Sequence, residues 1–187
     1  IDVFDDVSLD ICAPDIVRVL KRFGSLPERK SLAVVDGACS GDVHFRKTEN
    51  DEEIVFETED MTIRAEKSTQ FFRFERGGKL MLAENGMNSR KVVGSETFYD
   101  VEQTWTDPRV PIYGAGSLQQ NVLDYRAMPL SLVQYNTEAI IPFFTSTGYQ
   151  NLPWGLFWDS LAFTEWNKPM HFVDLQKQAD EDVYEEV

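Results

Sequence analysis

The sequence predicts an all-β protein, an antiparallel β-sandwich with little helix. Three observations carry this. Short runs of β-branched and aromatic residues recur along the chain, turn-forming residues separate them, and helical periodicity is scarce.

In chain order, Ile16-Val17-Arg18-Val19-Leu20, Ile54-Val55-Phe56-Glu57-Thr58, Met61-Thr62-Ile63-Arg64-Ala65 and Phe71-Phe72-Arg73-Phe74 read as strands. The connections Ala13-Pro14-Asp15, Glu49-Asn50-Asp51-Glu52, Glu59-Asp60 and Arg76-Gly77-Gly78-Lys79 carry the Gly, Pro, Asp and Asn of tight hairpin turns. From Phe98 to Trp105 the residues alternate, with Tyr99, Val101, Gln103 and Trp105 on one face, as in a half-buried strand. Tyr113-Gly114-Ala115-Gly116 reads as flexible, and Ser117 to Leu123 as one short helical turn. Three more strands are expected at Leu130–Tyr135, Ala139–Thr145 and Gly155–Trp158. Pro142 lacks an amide donor, which places it at a strand edge or a bulge. The stretch from Gln176 to Val187 is acidic and poor in large apolar residues, so it reads as a fraying tail. No internal repeat is visible.

A chain of 187 residues, 42% hydrophobic and 12% aromatic, is long enough for one sizeable core. Its 18 Lys and Arg against 32 Asp and Glu give a net charge of −14, which repels phosphate backbones and anionic lipid. Nucleic acid and membrane surfaces are therefore excluded as expected partners. There is no apolar run long enough for a membrane helix and no basic and apolar leader, so a soluble chain lacking its export signal is expected. Cys12 and Cys39 lie in no CxxC or Cys/His cluster, so neither zinc nor a disulfide framework is indicated. Two buried free thiols are the expectation, and a single Cys12–Cys39 bridge in an oxidising compartment is the alternative.

The segments Phe98–Trp105, Pro111–Gln120, Val122–Arg126, Gln134–Phe143, Ser146–Tyr149 and Gly155–Asp159 follow one another in an order that resembles the N-terminal domain of glycoside hydrolase family 31 enzymes, of α-xylosidase and α-glucosidase type. Ile16–Val19 and Phe74–Glu84 also fit, and the resemblance covers roughly residues 8 to 165. It implies a galactose-mutarotase-like supersandwich over 1–170, and an acidic tail or the start of a connection over 171–187. In that family the domain precedes a (β/α)8 barrel holding an aspartate nucleophile and an aspartate acid/base. Neither is expected here, because Trp105-Thr106-Asp107-Pro108 and Phe157-Trp158-Asp159-Ser160 only echo the nucleophile motif. One departure stands out. The family runs Gly-Tyr directly into Gly-Leu-Leu-Trp-Asp-Asn, whereas Gln150-Asn151-Leu152-Pro153-Trp154 interrupts it here and Ser160 replaces the asparagine.

Retaining glycoside hydrolysis needs two carboxyl groups about 5–5.5 Å apart. Adjacent pairs such as Asp5-Asp6 and Glu52-Glu53 would point to opposite sides of a strand, so no dyad follows from spacing. His44 and His171 have no recognisable acidic partner, no Gly-x-Ser-x-Gly occurs, and Gly114 and Gly116 lack Rossmann spacing. No catalytic residue, cofactor or metal is therefore expected. Gln134, Tyr135, Asn136, Thr137 and Glu138 combine an aromatic, amides and a carboxylate between two apolar strands, a mixture that binds sugars. In similar enzymes a loop of this domain reaches over the barrel mouth, and residues 134 to 138 are the candidate for it.

Trp105, Tyr113, Phe143, Phe144, Phe157, Trp158 and Trp166 read as core or interface, whereas Trp154, on the inserted turn, is the candidate to cap a pocket or dock on the barrel. The expected role is thus a non-catalytic domain that packs on the barrel and shapes the rim of its sugar pocket, with carbohydrate met through the parent enzyme. The alternatives are an independent carbohydrate-binding module using exposed aromatics, and a small enzyme of mutarotase type. A periplasmic or secreted location is expected, with the cytoplasm left open.

Overall fold

The computed structural model describes residues 1–23, 31–93, 97–106, 110–126, 128–134, 136–160 and 164–166. The expected boundary at 170/171, the tail and His171 lie outside them. Four antiparallel sheets build an all-β sandwich. The first sheet orders β1 (Asp2–Phe4), β2 (Val7–Ala13) and β3 (Ile16–Lys21), with β2 and β3 joined across Pro14-Asp15. Val7, Leu9 and Ile11 alternate inward from β2, so the strand buries one face. Asp5-Asp6 form the β1–β2 turn rather than lying on a strand.

A six-stranded meander follows: β4 (Arg46–Glu49), β5 (Glu53–Glu57), β6 (Thr62–Glu66), β7 (Phe72–Arg76), β8 (Lys79–Val93) and β9 (Thr97–Thr106). Its inner face supplies Ile54, Phe56, Ile63, Ala65 and Phe72 to the core. Full burial of a side chain of this size contributes about 1.5–3 kcal/mol. Its outer face is ionic. Arg64 lies 2.7 Å from Glu53 and 3.2 Å from Glu75, and the bond to Glu75 raises the guanidinium pKa further. Val55, opposite Arg64 in the ladder, is buried on this face.

A third sheet orders β10 (Ile112–Ser117), β12 (Ala139–Ser146) and β13 (Trp154–Phe157), and β11 (Leu130–Leu132) pairs with β14 (Thr164–Trp166). The Phe144 and Trp166 rings stack at 4.0 Å and tie these two sheets together.

Three expectations change here. The stretch read as flexible, Tyr113–Gly116, is part of β10: a Cβ at Gly116 would meet the Ala139 carbonyl oxygen at 2.0 Å, so glycine lets the strand lie against β12. Ser117 to Leu123 forms no helical turn; Ser117 ends β10 and irregular chain follows. Asp124 organises that chain, its Oδ1 accepting from the Ile112 and Arg126 amides at 3.0 Å each. Third, Cys12 and Cys39 form a disulfide across a separation of 27 residues, and the free-thiol expectation is wrong. Cys39 lies beside Cys12 near the end of β2, a meeting that spacing alone does not reveal. Pro142 sits where the β10–β12 ladder breaks, between the Gly114–Phe144 and Gly116–Ile140 pairs, as its missing donor requires.

Candidate functional site

The loop between β11 and β12 is built by its own polar side chains. Gln134 Nε2 donates to the Glu138 carbonyl, and its Oε1 accepts from the Ile140 amide at 3.0 Å, so one side chain closes the loop. Glu138 Oε1 accepts from the Gln119 amide at 3.0 Å, and Gln119 Nε2 donates to the Thr137 carbonyl at 3.3 Å, pinning the loop to the chain after β10. Gln134 and Glu138 therefore serve the backbone. Asn136 and Thr137 form the exposed tip, and their side chains make no hydrogen bond to a described residue. Tyr135 lies outside the described residues.

Trp154 is placed differently from the sequence expectation. It opens β13, opposite Ser146, and with 9% of its surface exposed it belongs to the core. Tyr149 and the first two inserted residues, Gln150 and Asn151, instead form a 3₁₀ turn, and Trp154 follows it with its side chain turned inward. Its indole Nε1 is buried without a hydrogen-bond partner. The two halves of the predicted site are thus apart. The 134–138 loop enters β12 at Ala139, whereas Trp154 pairs at the far end, Ser146. At about 3.3 Å per residue that separation is roughly 20–25 Å.

The other aromatics divide by strand position. Phe144, Trp105 and Trp166 pack in or against the core, and Trp158 is half-buried. Phe143 and Phe157 are a cross-strand pair on the opposite face of β12 and β13, 43% and 37% exposed, beside Ile141 at 55%.

The titratable residues hold structure together. Asp159, in the segment echoing a nucleophile motif, lies 4.0 Å from Arg18, which also lies 3.9 Å from Asp10, so the chain after β13 is tied to the first hairpin. His44 is exposed in an open cleft of about 610 Å³ beside Asp42, Glu57 and Glu59. A second open cleft of about 610 Å³ lies between Asp10, Arg18 and the loop clipped by Cys39. Among the described residues, no group of three or more His, Cys, Asp or Glu is arranged to hold a metal ion. No helix there is long and apolar enough to cross a membrane.

No protein-family model matches the sequence. Among solved structures, the chain is similar to a glycoside hydrolase family 31 α-xylosidase from Xanthomonas citri, with TM-score 0.72 and 23% identity. That match covers 85% of this chain and 17% of the other. A family 31 α-xylosidase from a soil metagenome, solved with xylose, gives TM-score 0.61 at 17% identity over 85% of this chain and 26% of its own. A family 31 dextranase from Flavobacterium johnsoniae, solved with isomaltotriose, gives 0.63 at 18% identity over 86% and 21%. The chain therefore has the all-β fold of one part of these family 31 glycoside hydrolases, and it spans about a quarter of their length or less.

Proposed function

We propose that the chain is the non-catalytic N-terminal domain of a retaining α-glycosidase of family 31 type, acting on α-xylosides, α-glucosides or a related glycan. It packs on the (β/α)8 barrel of the same polypeptide, and the tip of the 134–138 loop borders the sugar pocket. The observation that carries this reading is the asymmetry of the structural matches, 85% of this chain against 17% of the Xanthomonas citri enzyme. The loop supports the rim role in a specific way. Gln134 and Glu138 fix its shape, which leaves Asn136 and Thr137 exposed to meet sugar hydroxyls. The Cys12–Cys39 bond supports an oxidising compartment, the periplasm or outside the cell.

The test uses the chain alone and the full polypeptide encoded in its reading frame, each with aryl α-xyloside and aryl α-glucoside. The chain alone should turn over neither, and the full polypeptide should hydrolyse at least one. In the latter, Asn136→Ala with Thr137→Ala should raise KM about tenfold, the scale of one or two lost hydrogen bonds, while the melting temperature holds. Turnover by the chain alone would sink the non-catalytic reading, and an unchanged KM would sink the rim role.

A further inference from the structure

The outer face of the β10–β12–β13 sheet gathers exposed apolar side chains on adjacent strands. Ile141, Phe143 and Thr145 project from β12, Gly155 and Phe157 from β13, and Tyr113, opposite Thr145, from β10. None carries a charge, in a chain whose net charge is −14. A Cβ on Gly155 would come within 2.8 Å of the Phe143 ring, so that ring lies across the glycine as a flat shelf, with Phe157 beside it. The outer face of the six-stranded sheet shows the contrast, being latticed by Arg64, Glu53 and Glu75.

We propose that this face is a docking surface, and that its occupant is the barrel of the same polypeptide, meeting Ile141, Phe143 and Phe157 with uncharged aliphatic or aromatic side chains. The proposal rests on the function proposed above and adds which face is covered. Three observations select this occupant. A glycan needs several polar partners, yet the residues named here bring only two hydroxyls, Tyr113 and Thr145, and Thr145 already donates to the Trp154 carbonyl at 3.1 Å. A second copy would bring together two chains of charge −14 each. Chains sharing this fold extend far beyond it, the match filling only 17% of one and 26% of another, so a large covalent neighbour supplies the cover.

Hydroxyl-radical footprinting of the 187-residue chain and of the full polypeptide from its reading frame tests the assignment. Modification of Ile141, Phe143 and Phe157 should fall about fivefold or more in the full polypeptide, as dry interface cores exclude water. Ile16, 57% exposed on β3, should change little and serves as reference. Phe143→Asp should lower the melting temperature of the 187-residue chain only modestly and leave it folded, because the ring is half-exposed and packs on Gly155 and Phe157 on this face, and should restore Phe157 modification in the full polypeptide. A barrel-bearing polypeptide with undiminished labelling at these residues overturns the docking face and leaves the functional reading standing. A reading frame without a barrel overturns both. Protection of the isolated chain's face by xylose or isomaltotriose, or by self-association in sedimentation, assigns it to a glycan or a second copy and also overturns the proposal.

Discussion

Lys21 Nζ lies 2.7 Å from Glu84 Oε2, an ion pair that joins the edge of the first sheet to β8 in the six-stranded sheet. Both side chains are largely removed from water, at 12% and 2% exposure. Glu84 also accepts from the Phe72 amide at 2.9 Å and from Gln103 Nε2, while the Lys21 ammonium sits 5.6 Å from the Phe72 ring centroid. Removing one partner strands the other. We expect Lys21→Met to lower unfolding free energy by about 3–5 kcal/mol, since the carboxylate stays buried without its cation. The double variant Lys21→Met with Glu84→Gln should recover part of that loss, because a neutral amide still accepts from Phe72. Urea midpoints of Lys21→Met, Glu84→Gln and the double variant decide it. Strictly additive losses would show that the two residues act separately.

The Cys12–Cys39 bond closes a loop over a separation of 27 residues, and chain-entropy bookkeeping gives about 3–4 kcal/mol for a loop of this size. Reduction, or Cys12→Ser with Cys39→Ser, should lower the unfolding free energy by that order. It should also expose residues 31–43 to limited proteolysis before the rest of the sandwich opens. Thiol titration of the native protein should find none free. Two titratable thiols in the purified chain would contradict the pairing and remove the main support for an oxidising compartment.

Asp124 gives the fold a pH dependence whose sign is fixed. Its carboxylate accepts from the Ile112 amide and then from the Arg126 amide, and these bonds hold its folded-state pKa below the ordinary value of 3.8. A group depressed on folding stabilises fully above its unfolded pKa and loses that contribution as pH falls through the folded one. Asp124→Asn should therefore be less stable than wild type at pH 7, with the gap narrowing as pH drops below about 4. Thermal melts at pH 7 and pH 3 check this. A gap that stays constant would show that the carboxylate's charge contributes nothing.

Gly148 sets the turn that delivers Trp154 to the core. Its backbone at φ 72°, ψ 160° lies in a region essentially closed to other residues, and an added Cβ would fall 1.7 Å from the Leu152 carbonyl oxygen. Gly148→Ala should cost more than about 2 kcal/mol and quench the buried Trp154 fluorescence signature through rearrangement of β13. Wild-type stability in this variant would mean that the turn relaxes without strain.

How much of this was legible in the sequence follows from what a local pattern can encode. The strands at β3, β5, β6, β7, β9 and β12 were readable because β-branched and aromatic runs bounded by turn residues are local signals. Strand β8 was harder. Its middle, Glu84-Asn85-Gly86-Met87-Asn88-Ser89, carries no run of β-branched or aromatic residues, and it is a strand because β9 pairs with it around a bulge between Glu84 and Gly86. The same holds for β10, whose glycines look flexible until β12 lies against them.

By itself, the sequence determined the fold class, the hairpin turns and the place of Pro142, because composition and alternation by two act on neighbours along the chain. Only the tertiary structure decided the disulfide, the separation of Trp154 from the 134–138 loop, and the exposure of Phe143 beside the burial of Phe144. The physical reason is that alternation says which side chains share a face. Which face is covered depends on what packs there, and that comes from distant chain.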